Sequence, residues 1–223
     1  MSRTVLVVAA HTDDEVLGCG GTLARHVAEG DSVHAIFLAD GVSSRDGAAH
    51  GEAERRDAAA RHAHQILGLA SATCLGMPDN KLDSLPLLQI VQSLEAAISK
   101  ISPTTVYTHH HGDLNIDHAV THQAVMTACR PLPGSRVREI LSFEVMSSTE
   151  WATPGRHPFL PNHYVDITPF MAVKMAAMRA YELEMRDEPH SRSFAHIEHL
   201  ARHRGCSVGV GAAEAFMLVR SLR

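Results

Sequence analysis

The chain has 223 residues, 45% hydrophobic and 20% charged, ordinary proportions that exclude a disordered or fibrous protein. Its formal charge is −5, and 17 histidines with pKa values near 6.5 return roughly +4 at pH 7, so nothing favours nucleic acid or an anionic membrane as a partner. The length predicts a single domain over 1–223. The four cysteines, at 19, 74, 129 and 206, form no CxxC pair and read as reduced, packed core residues. No apolar run reaches the roughly 18–20 residues of a membrane span, and no basic stretch leads into an apolar one at the start. The expected compartment is the cytoplasm.

In chain order, TVLVVAA (4–10) is a β-branched run that reads as a strand buried on both faces. HTDDE follows, then a helix ending at Gly30. SVHAIFLA (32–39) is a second buried strand. A polar loop leads into an Ala-rich helix over about 52–67, closed by Gly68. SATCL (71–75) is a third strand. A helix with apolar residues at 87, 88, 91, 94 and 98 precedes a fourth strand, TTVYTH (104–109). DHAVTHQAVMTACR is a helix stopped by Pro131, and REILSFEV (138–145) a fifth strand. Residues 146–162 read as a long surface loop and HYVDI as a further strand. Helices over 168–186 and 193–203 and a last strand over 215–220 complete the chain; Met171, Met175 and Met178 fall at helical spacing and read as core.

Strand and helix alternate four times before the fifth strand. That order predicts an α/β, three-layer sandwich: a mainly parallel sheet with helices on both faces. Ligands of such sheets bind at the carboxyl ends of the strands. The loops there carry His11, Asp13, Asp14, Asp40, Asp79, His109–His111, Asp113, Asn115, Asp117 and His118.

Two motifs on that edge carry chemistry. His11-Thr-Asp-Asp-Glu15 follows the first strand, and imidazole with carboxylate suits zinc or a similar divalent ion. The same residues also suit an acidic helix cap. Asp113-Leu-Asn-Ile-Asp117-His118 follows the fourth strand, with His122 one turn later on the same helix face. Either histidine can complete a set of three protein ligands, the number found in catalytic zinc sites.

The first motif resembles the AHPDDE signature of the LmbE-like, or PIG-L, deacetylases, with Thr12 in place of proline. Gly18, Gly20 and Gly21 match the family's glycine-containing helix start. Asn115-Ile-Asp117-His118 resembles its second signature, and Gly205 with Ala213-Glu-Ala-Phe216 its closing pattern. The resemblance implies a Rossmann-like fold and removal of N-acyl groups, mostly acetyl from N-acetylglucosamine-type sugars, with a divalent metal, usually zinc. Matching positions imply His11, Asp14 and His118 as metal ligands and Asp13 as general base. Asp117 is implied beside the site, orienting a neighbour.

Many members carry histidine where this chain has Asn115, and some tyrosine where it has Asp113. The general acid is therefore open between Asp13 and His109, His110 or His111. Arg56 matches a substrate-contacting arginine, although EAERRDAAAR also reads as a solvated charged face and Arg55 is adjacent. Asp79 matches a sugar-binding loop and also reads as a Pro-Asp turn. The histidines at 190, 196, 199 and 203 read as a polar helix face. Trimers or hexamers are a further implication of the resemblance. The other readings are an amidase acting on another N-acyl compound, such as an antibiotic or thiol precursor, and a sugar- or nucleotide-binding module without catalysis. Against the last, acidic residues fill the first strand–helix loop, where a pyrophosphate would be repelled.

Overall fold

A computed structural model describes residues 2–39, 41 and 51–223. Asp40 lies outside the described residues. Seven strands, β1 (Thr4–Ala9), β2 (Ser32–Ala39), β3 (Ser71–Met77), β4 (Thr105–His109), β5 (Glu139–Phe143), β6 (His163–Asp166) and β7 (Ala213–Ser221), form one sheet in the order β3-β2-β1-β4-β5-β7-β6. The first five run parallel, while β7 pairs antiparallel with both β5 and β6. The helices are α1 (Asp14–Ala28), α2 (Glu52–Leu67), α3 (Leu87–Ile101), α4 (Ile116–Ala128), α5 (Met171–Ala180) and α6 (Phe194–Cys206). The layered α/β architecture is the one the alternation predicts. No helix among the described residues is long and apolar enough to cross a membrane.

The continuous apolar run of β1 is explained by burial on both faces. Val5, Val7 and Ala9 pack with α1, α2 and α5. Leu6 and Val8 point the other way, into a core closed by Ile90, Val91 and Leu94 of α3 and Val125 of α4. The chain leaves β1 towards β2 on one side, while β4 lies on the other. The loops after β1 and β4 therefore flank the crevice where the strand order reverses.

Three expectations are corrected. Cys74 and Cys206 are exposed, and only Cys19 and Cys129 are buried; β3 is an edge strand whose residues are mostly exposed. The helix expected over 168–186 is regular only over Met171–Ala180, between 3-10 turns at Thr168–Phe170 and Glu182–Glu184. It stops because Tyr181 turns inward, is 1% exposed and donates its hydroxyl to Glu15 Oε1 at 2.9 Å. His190 lies before α6, off the expected polar helix face.

The glycines of GCGG serve packing. A Cβ on Gly18 would run into the Phe143 ring, and one on Gly21 would meet Ile167 Cδ1 at 2.8 Å. Between them α1 is broken, with Cys19 at φ −147° and ψ 18°. The break frees backbone groups, and a buried ion pair takes them up. Glu214 accepts the N–H groups of Gly21 at 2.9 Å and Thr22 at 2.7 Å. Lys174 Nζ donates to the Leu17 carbonyl at 2.9 Å and to Glu214 at 2.6 Å. Both side chains are almost wholly buried. Removing one partner strands the other charge, so Lys174→Met is expected to cost about 3–5 kcal/mol in urea unfolding. A cost below about 1 kcal/mol would contradict this role.

Candidate functional site

Three chain segments meet at the carboxyl edge. The loop after β1 supplies His11 and Asp13, and α1 opens on Asp14. The loop after β3 supplies Asp79. The segment after β4 supplies Asp113, then Asn115 as the N-cap of α4, with Asp117 and His118 in its first turn. Asn115 Oδ1 accepts the Asp117 N–H at 2.9 Å, the usual device for starting a helix. His118 then points into the crevice. His122, one turn later, bonds the His109 carbonyl through Nδ1 at 2.9 Å and leaves the cluster.

Asp14 Oδ2 is the hub. It accepts the His11 backbone N–H at 2.9 Å and lies 3.3 Å from both His11 Nδ1 and His118 Nε2. The far nitrogen of each ring faces other carboxylates. His11 Nε2 is 3.1 Å from Asp117 and 3.0 Å from Asp79. His118 Nδ1 is 3.2 Å from Asp113, which also accepts the Ser148 and Thr149 hydroxyls. Asp117 further accepts the N–H groups of Asn80 at 2.7 Å and Leu82 at 3.0 Å, tying the β3 loop to α4.

His11, Asp14 and His118 are all buried, and their donor atoms lie within 4.8 Å of one another. Donors on a tetrahedral zinc with bonds of about 2.0–2.1 Å stand about 3.3 Å apart, matching the two separations from Asp14. Carboxylates on the outer nitrogens leave the inner nitrogens free to ligate. This donor set therefore fits a divalent cation. His11, Asp79 and Asp117 form a second such group on the other side of the His11 ring, but the backbone N–H groups of Asn80 and Leu82 already occupy Asp117.

The charges also call for a cation. Burial opposes protonation of His118, yet Asp14 and Asp113 carry its pKa up to about 9. Burial likewise opposes His11, and Asp117, Asp14 and Asp79 outweigh it. Burial alone would raise Asp14, but His118 and His109 hold it well below the usual carboxylate range. Asp113 falls to about 2 because bonds from His118, Ser148 and Thr149 outweigh its burial.

Asp13 stands beside this cluster, 2% exposed and at φ 111°, a strained backbone for a non-glycine residue. Glu15 Oε2 accepts its N–H at 2.9 Å. Burial lifts the Asp13 carboxyl to about 6, with Arg192 opposing, Asp14 adding and Arg56 opposing. Arg192 Nη1 donates to Asp13 Oδ2 at 3.0 Å. Arg56 lies 3.9 Å from Asp13 Oδ1 and bonds Thr12 Oγ1 at 3.1 Å, the Thr12 carbonyl at 2.9 Å and Glu184 at 2.8 Å. Thr12, where the family pattern has proline, therefore anchors Arg56 through its hydroxyl.

The sequence-predicted residues divide clearly. His11, Asp13, Asp14, Arg56, Asp79, Asn115 and His118 all line one polar cavity of about 170 Å³, and Asp117 lies behind His11. Arg56 faces the cavity and Arg55 is exposed. His109, His110 and His111 do not line it. His109 stacks on His118 with ring centroids 3.9 Å apart and accepts the Ala10 N–H, while His110 bonds the His157 carbonyl. Sequence reasoning missed Arg192, Glu15 and Glu184. Arg192 carries no local signal, since its partner Asp13 is 179 residues away.

Residues 6–129 match the family model described as PIG-L, GlcNAc-PI de-N-acetylase. The chain belongs to the PIG-L family. Among its relatives is the uncharacterized deacetylase YaiS of Escherichia coli, 31% identical over 81% of this chain and 91% of the relative. The diacetylchitobiose deacetylase of Thermococcus kodakarensis is 25% identical over 86% of this chain and 76% of its own length. The crystal structure of the conserved protein TT1542 from Thermus thermophilus superposes with a TM-score of 0.79 at 28% identity, covering 99% of this chain and 96% of that one. Two of these relatives are named as deacetylases, and the superposition supports the fold.

Two outcomes follow from the charges. His118 must lose its proton to ligate, so zinc added to the metal-free protein at pH 7.5 is expected to release protons, and affinity to rise with pH towards about 9. Calorimetry in buffers of different ionisation enthalpy reads the release; none would contradict the assignment. Asp113→Asn removes the carboxylate behind His118 and is expected to weaken zinc binding about 10–100-fold in a competitive chelator titration.

Proposed function

We propose that this chain is a single-domain, zinc-dependent N-deacetylase of an N-acetylglucosamine-type sugar or conjugate. The observation that carries the reading is the buried His11–Asp14–His118 cluster with Asp13 beside it in one polar cavity. The family description and the deacetylase relatives support it.

An amide is a poor electrophile and water a poor nucleophile. When bound by His11, Asp14 and His118, a divalent cation supplies Lewis acidity, acidifying water and polarising the acyl carbonyl. Asp13 takes the proton of the attacking water, and its raised pKa of about 6 suits a base working near neutrality. Arg192 and Arg56 hold the Asp13 carboxylate in place. The amine nitrogen must be protonated before it leaves, and Asp13, having just gained a proton, returns it. Asp117 and Asp113 hold the His11 and His118 rings in the tautomers that ligation needs. Asn115 Nδ2 donates to Asn80 Oδ1 at 3.3 Å, and both residues line the cavity, available to sugar hydroxyls.

The test is acetate release from a panel of N-acetylated sugars by zinc-loaded protein. Asp13→Asn is expected to keep its zinc and lose about 10²–10⁴-fold in kcat. Wild-type turnover in that variant would sink the base assignment. His118→Ala is expected to lose zinc and His122→Ala to keep it, as read by metal content after gel filtration; the reverse would exchange their roles.

A further inference from the structure

The cavity uses the polar residues around Asp13 and leaves its rim unexplained. Trp151 is the chain's one tryptophan and is 51% exposed. Leu114, next to Asn115, is 57% exposed. The two belong to segments bonded to each other at the cavity wall. Ser148 and Thr149 donate to Asp113, and the Asn115 N–H donates to Asp113 at 2.9 Å and lies 3.3 Å from Ser148 Oγ. Ser147 and Ser148 line the cavity just before the turn that carries the indole.

Trp151 is also fixed from a second side. Its ring meets the His190 imidazole edge-on, with centroids 5.6 Å apart and planes at 79°. His190 Nδ1 accepts the Arg192 N–H at 3.0 Å, and Arg192 holds Asp13. Trp151 itself does not line the cavity, but it stands three residues after Ser148 and against His190, two residues before Arg192, and Ser148 and Arg192 both line it, while half the indole surface faces water. A buried indole gains free energy from its large apolar area, and this one forgoes part of it.

We propose that Trp151 is a stacking platform for the ring bonded to the deacylated sugar, so that the substrate is a glycoside with a second flat-faced ring, a pyranose or an aromatic aglycone. This rests on the reading of the cavity as an N-acyl sugar site. A cavity of about 170 Å³ is small against the roughly 300–1,000 Å³ of sites that enclose a drug-sized ligand, so whatever is attached to the acylated sugar crosses the rim. The C–H face of a pyranose and the face of an arene both lie well on an indole. A protein partner is the poorer occupant: three exposed apolar side chains, Leu114, Ile116 and Trp151, fall far short of the roughly 800 Å² that each partner buries in a stable interface.

With a single tryptophan, indole emission reports this position alone. N,N'-diacetylchitobiose or phenyl N-acetylglucosaminide, added to the zinc-loaded Asp13→Asn variant, is expected to change the emission at concentrations where N-acetylglucosamine does not. In Trp151→Ala, kcat/KM for the two-ring substrates relative to the monosaccharide is expected to fall roughly tenfold, and in Trp151→Phe to fall less. A response to chitobiose alone assigns a pyranose neighbour, and one to the phenyl glycoside alone an aromatic one. If Trp151→Ala does not fold, Trp151→Phe and the emission of the unsubstituted indole carry the test. An emission change without acetate release from any substrate would remove the deacetylase reading and keep the platform. Emission blind to both ligands, with the substrate ratio unchanged, overturns the platform. So does a Trp151→Ala protein that sediments as smaller species and loses equally on every substrate, which would make the indole a subunit contact.

Discussion

The Asp14 carboxylate is buried between two imidazoles, and the site is built around that arrangement. Asp13, Asp14, Glu15, Asp79, Asp113 and Asp117 are all buried within a few residues of one another in space. So many acids cannot stay charged out of water without compensating positive charge. Arg192 and Arg56 serve Asp13, and backbone N–H groups serve Asp117. Around Asp14 the compensation is left to His11 and His118, both driven towards their protonated forms. A divalent cation meets the same need with one bound ion, whose two charges replace those of the two imidazoliums, and frees the histidines to be neutral ligands.

The rest of the fold holds that hub still. Asp14 begins α1, whose first turns are pressed against β5 through the bare Cα of Gly18. The helix breaks at Cys19, and Lys174 and Glu214 satisfy the groups on either side of the break. Tyr181 ends α5 to reach Glu15, and the turn that follows brings Glu184 to Arg56. The closing Ala213-Glu-Ala-Phe216 motif, distant from the first motif in sequence, is therefore part of the same device: its glutamate caps the second half of the helix that Asp14 opens.

How much was legible depended on how local the cause was. The strand order and the layers follow from hydrophobic runs and their alternation, which are properties of short segments. His11 and Asp14 were legible because a buried strand must deliver the next residues to the sheet edge. His118 and His122 were indistinguishable by spacing; the choice is made by Asn115, which starts α4 so that His118 falls in the first turn. Arg192 was illegible because its reason lies at Asp13, far off in the chain. The end of α5 was misjudged for the same reason: helical periodicity runs past Tyr181, and a bond to Glu15 overrides it. Cys74 and Cys206 were misplaced because exposure depends on which strand is the edge and where a helix ends.

The most direct test of this account is the anomalous scattering of a crystal of the zinc-loaded protein at the zinc edge. The account predicts one strong peak bounded by His11 Nδ1, one Asp14 oxygen and His118 Nε2. A peak instead on the far side of the His11 ring, between Asp79 and Asp117, or none near His11 at all, would contradict it.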